Sequence, residues 1–425
     1  MKHTTIRLLC LAGVMLLCGT LSLRAQDTMR LTLTDAEKQF TEKNLQLLAE
    51  HYNIDIAKAA VIQAKLFDNP TLSVIGNVYD PQRNKVFNVS NKNGQYDIAL
   101  QQIIRLAGKR NKEIRLAQIN ASLNESSFFD LLRTLRYELR SNFYESYYLQ
   151  RSLNAYSTQI SVVEKLSAAY EELQSKAVVT MKDAMRIKAL LYSLKTEQTS
   201  LQNQLNDLQA SLRLLLQDNK TWFVPVVSSE ISTAMISATD AQALIDTAYM
   251  NRPDLQSAQR NVLYHQQNYT LQKALAKSDL TLGAEFDKRG SFVDNATFLS
   301  VAIDLPFFKR NQGNIRAAKF GIEQSKAIVQ QQQQTVENQV LQAYLKVLNT
   351  DKMLSSIDPS FETAFEKLLQ GVTENFQKKN ISLIEFTDFY ESYKYNMLQL
   401  NQLRDDKMQA IEALHFAVGK TIFTN

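Results

Sequence analysis

Only two cysteines occur in the 425 residues, Cys10 and Cys18, and both precede residue 26. A chain cleaved after Ala25 therefore has no disulfide and no thiolate metal site. Glycine and proline are scarce, at 11 and 6 residues, which removes most helix breakers and favours long helices. Beyond the N-terminal segment no apolar run reaches the ~18 residues of a membrane helix. Histidine is almost absent too. His3 lies in the N-terminal segment, and His51, His265 and His415 stand alone within helical patterns, with no second ligand at metal spacing. The methionines form no soft metal cluster. Neither catalysis nor a cofactor is expected, and no metal site. The net charge of +5 falls to +2 once Lys2, Arg7 and Arg24 are removed, too near neutral for a nucleic-acid partner.

What is present begins with an export signal over residues 1–25. Lys2 and Arg7 form the positive flank, residues 8–17 the apolar stretch, and Leu23, Arg24 and Ala25 a cleavage site. The alternative is acylation at Cys18, against which Leu17 is too bulky for the usual motif. After the signal, the chain is either a soluble helical protein or one that crosses a membrane with strands.

The organising stretch is VAIDLPFFKRNQG at 301–313. Leu299, Val301, Ile303 and Leu305 alternate with Ser300, Ala302 and Asp304, the period of a strand with one apolar face. Pro306 ends the pairing, and a helical pattern of roughly 60 residues follows. The same junction occurs at 96–110, YDIALQQIIRLAGKR, where alternation runs through Gly108 into another very long helix. Two copies of so rare a junction indicate an internal repeat.

The repeat divides the mature chain into a first unit at 26–217, a linker at 218–236 and a second unit at 237–425. In the first, Thr34 to Glu37 reads as a capping box starting a helix to about Phe67. A hairpin spans about 71–103, with Ile98 and Leu100 opposite in sense to Asp97, Ala99 and Gln101. The helix after it, of about 65 residues, is near 100 Å long and matches two shorter ones of about 33 and 38 residues laid end to end. Leu153, Tyr156, Ile160 and Val163 are part of its seam, stepping by three and four. In the second unit, residues 237–240 cap a short helix and Pro253 starts the next. A second hairpin spans about 280–305, with Leu282 and Phe286 on one face and Glu285 and Asp287 on the other. The long helix after it holds Gln330 to Gln334 as a solvated face, with a kink at Pro359. Ser382 to Glu385 is a capping box for the last helix, ending near Gly419.

Strands of roughly 9 residues are long enough to span an outer membrane. Four of them cannot close a barrel, and an open edge in lipid leaves its amides without partners. Two copies give eight strands filled by side chains, whereas three give twelve strands and a lumen. On this reading Leu282, Phe286, Val301 and Ile303 face lipid, while Asp97, Gln101, Glu285 and Asp287 face the lumen.

NRPDL at 251–255, DLPFFKRNQGNIRAA at 304–318 and the run from Ile381 to Gly419 resemble the TolC-type outer-membrane efflux proteins, as does the duplicated helix–hairpin–helix–helix plan. LPFFKRNQG is most similar to the heavy-metal, CzcC-like branch. Lys379 and Asn380 depart from the family, which usually has glycine in that turn. The resemblance implies a mainly α fold with membrane β-hairpins: a homotrimer with a 12-strand β-barrel and a long α-helical periplasmic tunnel. It also implies a location in the outer membrane, an adaptor (membrane fusion) protein and a separate inner-membrane pump. The implied function is a passive exit duct for metal cations or drugs, not an enzyme; the alternative is a soluble periplasmic coiled-coil scaffold or adaptor. The helix–helix turns farthest from the barrel should meet the adaptor, through Lys176, Lys182, Asp183, Lys378, Lys379 and Asn380, unless they are merely solvated. Glu385 and Asp388 match the family's carboxylates at the channel constriction, although Glu385 also completes the Ser382 capping box.

Overall fold

Long helices and one four-stranded sheet share the same order across the molecule. The structure is a computed structural model that describes residues 27–90, 92–227, 239–289 and 293–423. The export segment at 1–25, residues 228–236 of the inter-unit linker and Ser237 lie outside the described residues.

The first unit opens with β1 (Thr28–Thr32), α1 (Leu33–Lys43) and α2 (Leu45–Ala64). The helix expected from Thr34 to Phe67 is thus two. Thr32, not Thr34, is the N-cap, accepting from the Asp35 amide at 3.2 Å. Asn44 breaks the run in extended backbone, because its side chain accepts from Leu47 N and donates to Leu215 O, each at 3.0 Å. The hairpin follows as β2 (Thr71–Gly76) and β5 (Tyr96–Ile104), with a short extension formed by β3 (Tyr79–Asp80) and β4 (Lys85–Val86). Helix α3 (Lys109–Ser175) has 67 residues, and α4 (Met181–Leu216) returns along it.

Between the units, β6 (Trp222–Val226) pairs in parallel with β1, from Thr28 opposite Trp222 to Thr32 opposite Val226. The linker reading missed this strand. Gln209 of α4 fixes it, donating to Phe223 O at 2.7 Å and accepting from Phe223 N at 2.9 Å.

The second unit contains α5 (Ala241–Asn251), α6 (Pro253–Leu275), β7 (Leu280–Arg289), β8 (Asp294–Ile303), α7 (Gln312–Ser355), α8 (Phe361–Gln377) and α9 (Leu383–Val418). Asp240 caps α5, and Pro253 takes the first position of α6, where its missing N–H is harmless. Pro359 does more than kink: residues 356–360 leave the helix altogether, held by the Asp358 carboxylate accepting from Ser360 N at 2.8 Å. Both hairpin-to-helix junctions turn through a left-handed residue, Gly108 at φ 65° before α3 and Asn311 at φ 55° before α7.

The main sheet has the antiparallel order β2-β5-β7-β8. The helices attached to those strands pack in the same order, α2 on α3, α3 on α6, α6 on α7. Two apolar cores hold the rest. One surrounds β1 and β6 and buries Leu31, Phe40, Phe143, Phe223, Val340 and Ile411. The other lies toward the far end, where α3, α4, α8 and α9 bury Val163, Ile187, Leu194, Phe376 and Phe386. Among the described residues, no helix is long and apolar enough to cross a membrane.

Candidate functional site

Three regions hold the residues singled out by sequence: the sheet, the turns at the far end, and the start of α9. In the sheet, register decides which residues share a face. Asp97 stands opposite Asp287, Ala99 opposite Glu285, and Gln101 opposite Gly283. Asp97, Gln101, Glu285 and Asp287 therefore lie on one face. Gly283 lies against the Ser300 hydroxyl, which would have to turn away to admit a Cβ at that position. The other face pairs Leu72 with Leu100, Val74 with Ile98, Ile98 with Phe286 and Leu282 with Val301. Leu72, Val74 and Val301 are about two-thirds exposed, at 65%, 66% and 69%. An apolar face left open on a sheet with two unpaired edges needs an apolar neighbour.

The far end brings the two helix–helix turns together, with Tyr170 of α3 stacked on Phe376 of α8 at 5.8 Å. Both turns put a non-glycine residue in the left-handed region, Ala177 at φ 55° and Lys379 at φ 61°. Lys176 pairs with Glu172 at 2.5 Å and Lys378 with Glu374 at 3.8 Å, all four largely solvated. Lys182 and Lys379 are exposed. Asp183 is committed to the Thr180 cap, and Asn380 to Asn375 at 3.1 Å.

At the start of α9 the capping box is complete. Ser382 Oγ accepts from Glu385 N at 3.2 Å, and Glu385 Oε2 accepts from Ser382 N at 2.7 Å. The Ser382 backbone and hydroxyl hold the Glu385 carboxyl below the usual carboxylate range. Asp388 lies one turn further on and is exposed.

Sequence reasoning missed the buried charges between the helices. Arg140 of α3 reaches Glu412 of α9 and Glu37 of α1. Arg252 and Arg133 both bracket Asp254, and Lys407 holds Asp351 at 3.0 Å. Glu362, in the first turn of α8, bridges Arg151 at 3.3 Å and Arg404 at 2.7 Å. The one sequence signal was placement: Glu412 falls between Ile411 and Leu414 on the buried side of α9. His415 is buried against Glu412 and accepts from Phe423 N at 3.2 Å. Among the described residues, no three His, Cys, Asp or Glu side chains gather as metal ligands.

The profile of the outer membrane efflux protein family matches residues 244–420. The second half of the chain is therefore similar to that family. It is 21% identical to the cobalt-zinc-cadmium resistance protein CzcC of Cupriavidus metallidurans over 382 residues, 89% of this chain and 84% of that one. Solved structures with the same fold include VceC, an outer membrane protein of Vibrio cholerae, at a TM-score of 0.72 and 15% identity, covering 91% of this chain and 96% of that one. The open-state MtrE outer membrane channel of Neisseria gonorrhoeae gives 0.71 and 14%, covering 92% and 89%. Efflux family channels are passive ducts in the outer membrane, working with a periplasmic adaptor and an inner-membrane pump.

Proposed function

We propose that three copies of this chain close into one duct, a twelve-stranded barrel in the outer membrane continued by a helical tunnel through the periplasm. The observation that carries the reading is the four-stranded sheet with one apolar face and two open edges. In lipid those edge amides have no partner unless β8 of one copy pairs with β2 of the next. Eight strands would be filled by side chains, whereas twelve leave a passage. The same pairing sets α2 beside α7 of the neighbour. Leu48, Tyr52 and Ile56 are exposed on α2, and Phe320, Ile328 and Leu341 on α7, which supplies an apolar seam for the helical wall.

In this duct Asp97, Gln101, Glu285 and Asp287 line the lumen, and the apolar face of the sheet meets lipid. The turns around Lys176, Lys182, Asp183, Lys378, Lys379 and Asn380 meet the adaptor, and Glu385 and Asp388 form the constriction. A signal over residues 1–25 exports the chain. The cargo is a metal cation or a drug selected by the pump; the likeness to CzcC supports the metal class.

The test is assembly. Mature protein in mild detergent is expected to run as a trimer by light scattering and to fractionate with outer membranes. A monomer absent from that fraction would sink the duct and favour a soluble scaffold.

A further inference from the structure

Phe308 is the most exposed large apolar side chain among the described residues, at 93%. It sits in the turn between β8 and α7, next to Phe307 at 65%. At the opposite edge of the sheet, beside the root of β2, lies a depression of about 480 Å³ lined by Phe67, Ile104, Gly108 and Arg110 among others. The Phe67 ring is itself 79% exposed, with the Arg110 guanidinium 3.7 Å from its centroid. Arg110 Nη1 is buried and has no hydrogen-bond partner within the chain.

Knob and socket lie at the same end of the sheet. β2 runs antiparallel to β5, β5 to β7 and β7 to β8, so β2 and β8 are also antiparallel. Within one copy three inter-strand steps, roughly 14 Å, separate them. When β8 of one copy pairs with β2 of the next, the end of β8 comes beside the beginning of β2. Phe308 then arrives at Phe67 of the neighbour.

We infer that Phe308 plugs the depression of the next copy, with its ring on Phe67 and Ile104. This contact rests on the ring closure proposed above and adds to it a lock on register. Two edge strands alone can slip by two residues without changing faces, but that slip moves Phe308 roughly 7 Å from its socket.

The test uses the full-length chain carrying both Phe67→Cys and Phe308→Cys, treated with a thiol-bridging reagent shorter than the intrachain separation. The two native cysteines precede residue 26, and each single variant serves as their control. Most of the double variant is expected to become covalent dimer and trimer, and neither single variant is. Light scattering before treatment separates the two ways to fail. A trimer that yields no covalent species overturns the plug and leaves the duct standing, with Phe308 facing lipid or solvent. A monomer overturns both. As a second measure, the Phe308→Ser trimer is expected to dissociate in SDS at a lower temperature than the parent; an unchanged temperature counts against the plug.

Discussion

Arg140 holds Glu412 with two parallel hydrogen bonds, Nε to Oε2 at 2.6 Å and Nη2 to Oε1 at 2.8 Å. The two residues lie 272 positions apart, one in each repeat, and Glu412 is 1% exposed. Burial opposes ionisation of Glu412, yet hydrogen bonds from His415 and Arg140 keep its carboxyl below the usual range. Arg140→Ala leaves that buried charge with only His415 beside it, a loss of about 3 kcal/mol. Arg140→Met with Glu412→Leu removes both charges and is expected to lose much less. Thermal unfolding of the assembled protein checks both, and equal losses would mean that packing rather than charge decides.

Seven residues earlier on α9, Asp405 behaves in the opposite way. Burial raises its pKa from 3.8 to about 6, Glu145 and Asp406 adding to the effect while Gln409 opposes it. The folded state therefore binds this proton more tightly than the unfolded chain. The resulting penalty is absent below pH 3.8, grows as pH rises to about 6, and is constant above. Asp405→Asn is expected to stabilise the protein at pH 7.5 by roughly 2–3 kcal/mol and to do little below pH 4. A gain that does not change with pH would remove Asp405 titration as its cause.

The two faces of the sheet predict opposite responses to charge. Val301 lies on the apolar face, and an arginine in mid-barrel there costs about 2–4 kcal/mol. Glu285 lies on the polar face beside Asp97 and Asp287. Val301→Arg is expected to deplete trimers from the outer membrane, and Glu285→Arg to leave them. Heat-modifiable migration on gels reads the outcome, and the reverse pattern would refute the assignment of faces.

Much of this was legible because local chemistry agreed with the fold. Alternation marked both hairpins; seam spacing marked α3; Pro253 and Ser382 marked the starts of α6 and α9. The strand pair β1–β6 was not legible, because each strand has five residues and its partner lies in the other unit. Asn44 resembled any polar residue of a continuing helix until Leu215 O was placed within its reach. The buried charges stayed hidden for the same reason. Arg140 and Glu362 read as solvated helix faces when their partners on other helices are unknown. At the start of α9 the sequence held two roles for Glu385, and only geometry shows that its carboxylate is engaged by the cap.

The far-end turns allow a test of docking apart from assembly. Lys378 and Lys379 are exposed beside the stacked Tyr170 and Phe376. Lys378→Glu with Lys379→Glu is expected to lower efflux while trimer abundance stays at the parental level. Lys379 sits at φ 61°, so Lys379→Gly relieves backbone strain and serves as a control that keeps the turn. Unchanged efflux in the double acidic variant would remove this turn from the adaptor contact.

The mouth separates a cap from a charge. Glu385 is held by Ser382 and its carboxyl is depressed below 4.5, so the cap persists above that pH and weakens as pH falls below it. Asp388 is exposed and the capping box does not need it. In a closed ring, three copies of Asp388 would place like charges around one axis, attracting cations and holding the helix starts apart. Asp388→Ala is therefore expected to reduce cation selectivity and block by multivalent cations while thermal stability is unchanged. Glu385→Ala is expected to loosen the start of α9 first, seen as faster amide exchange over residues 382–386, with a smaller effect on selectivity. Single-channel recording of the reconstituted trimer, paired with hydrogen exchange, distinguishes the two. If Asp388→Ala keeps parental selectivity and Glu385→Ala abolishes it, the capping carboxylate faces the axis and carries the charge of the mouth.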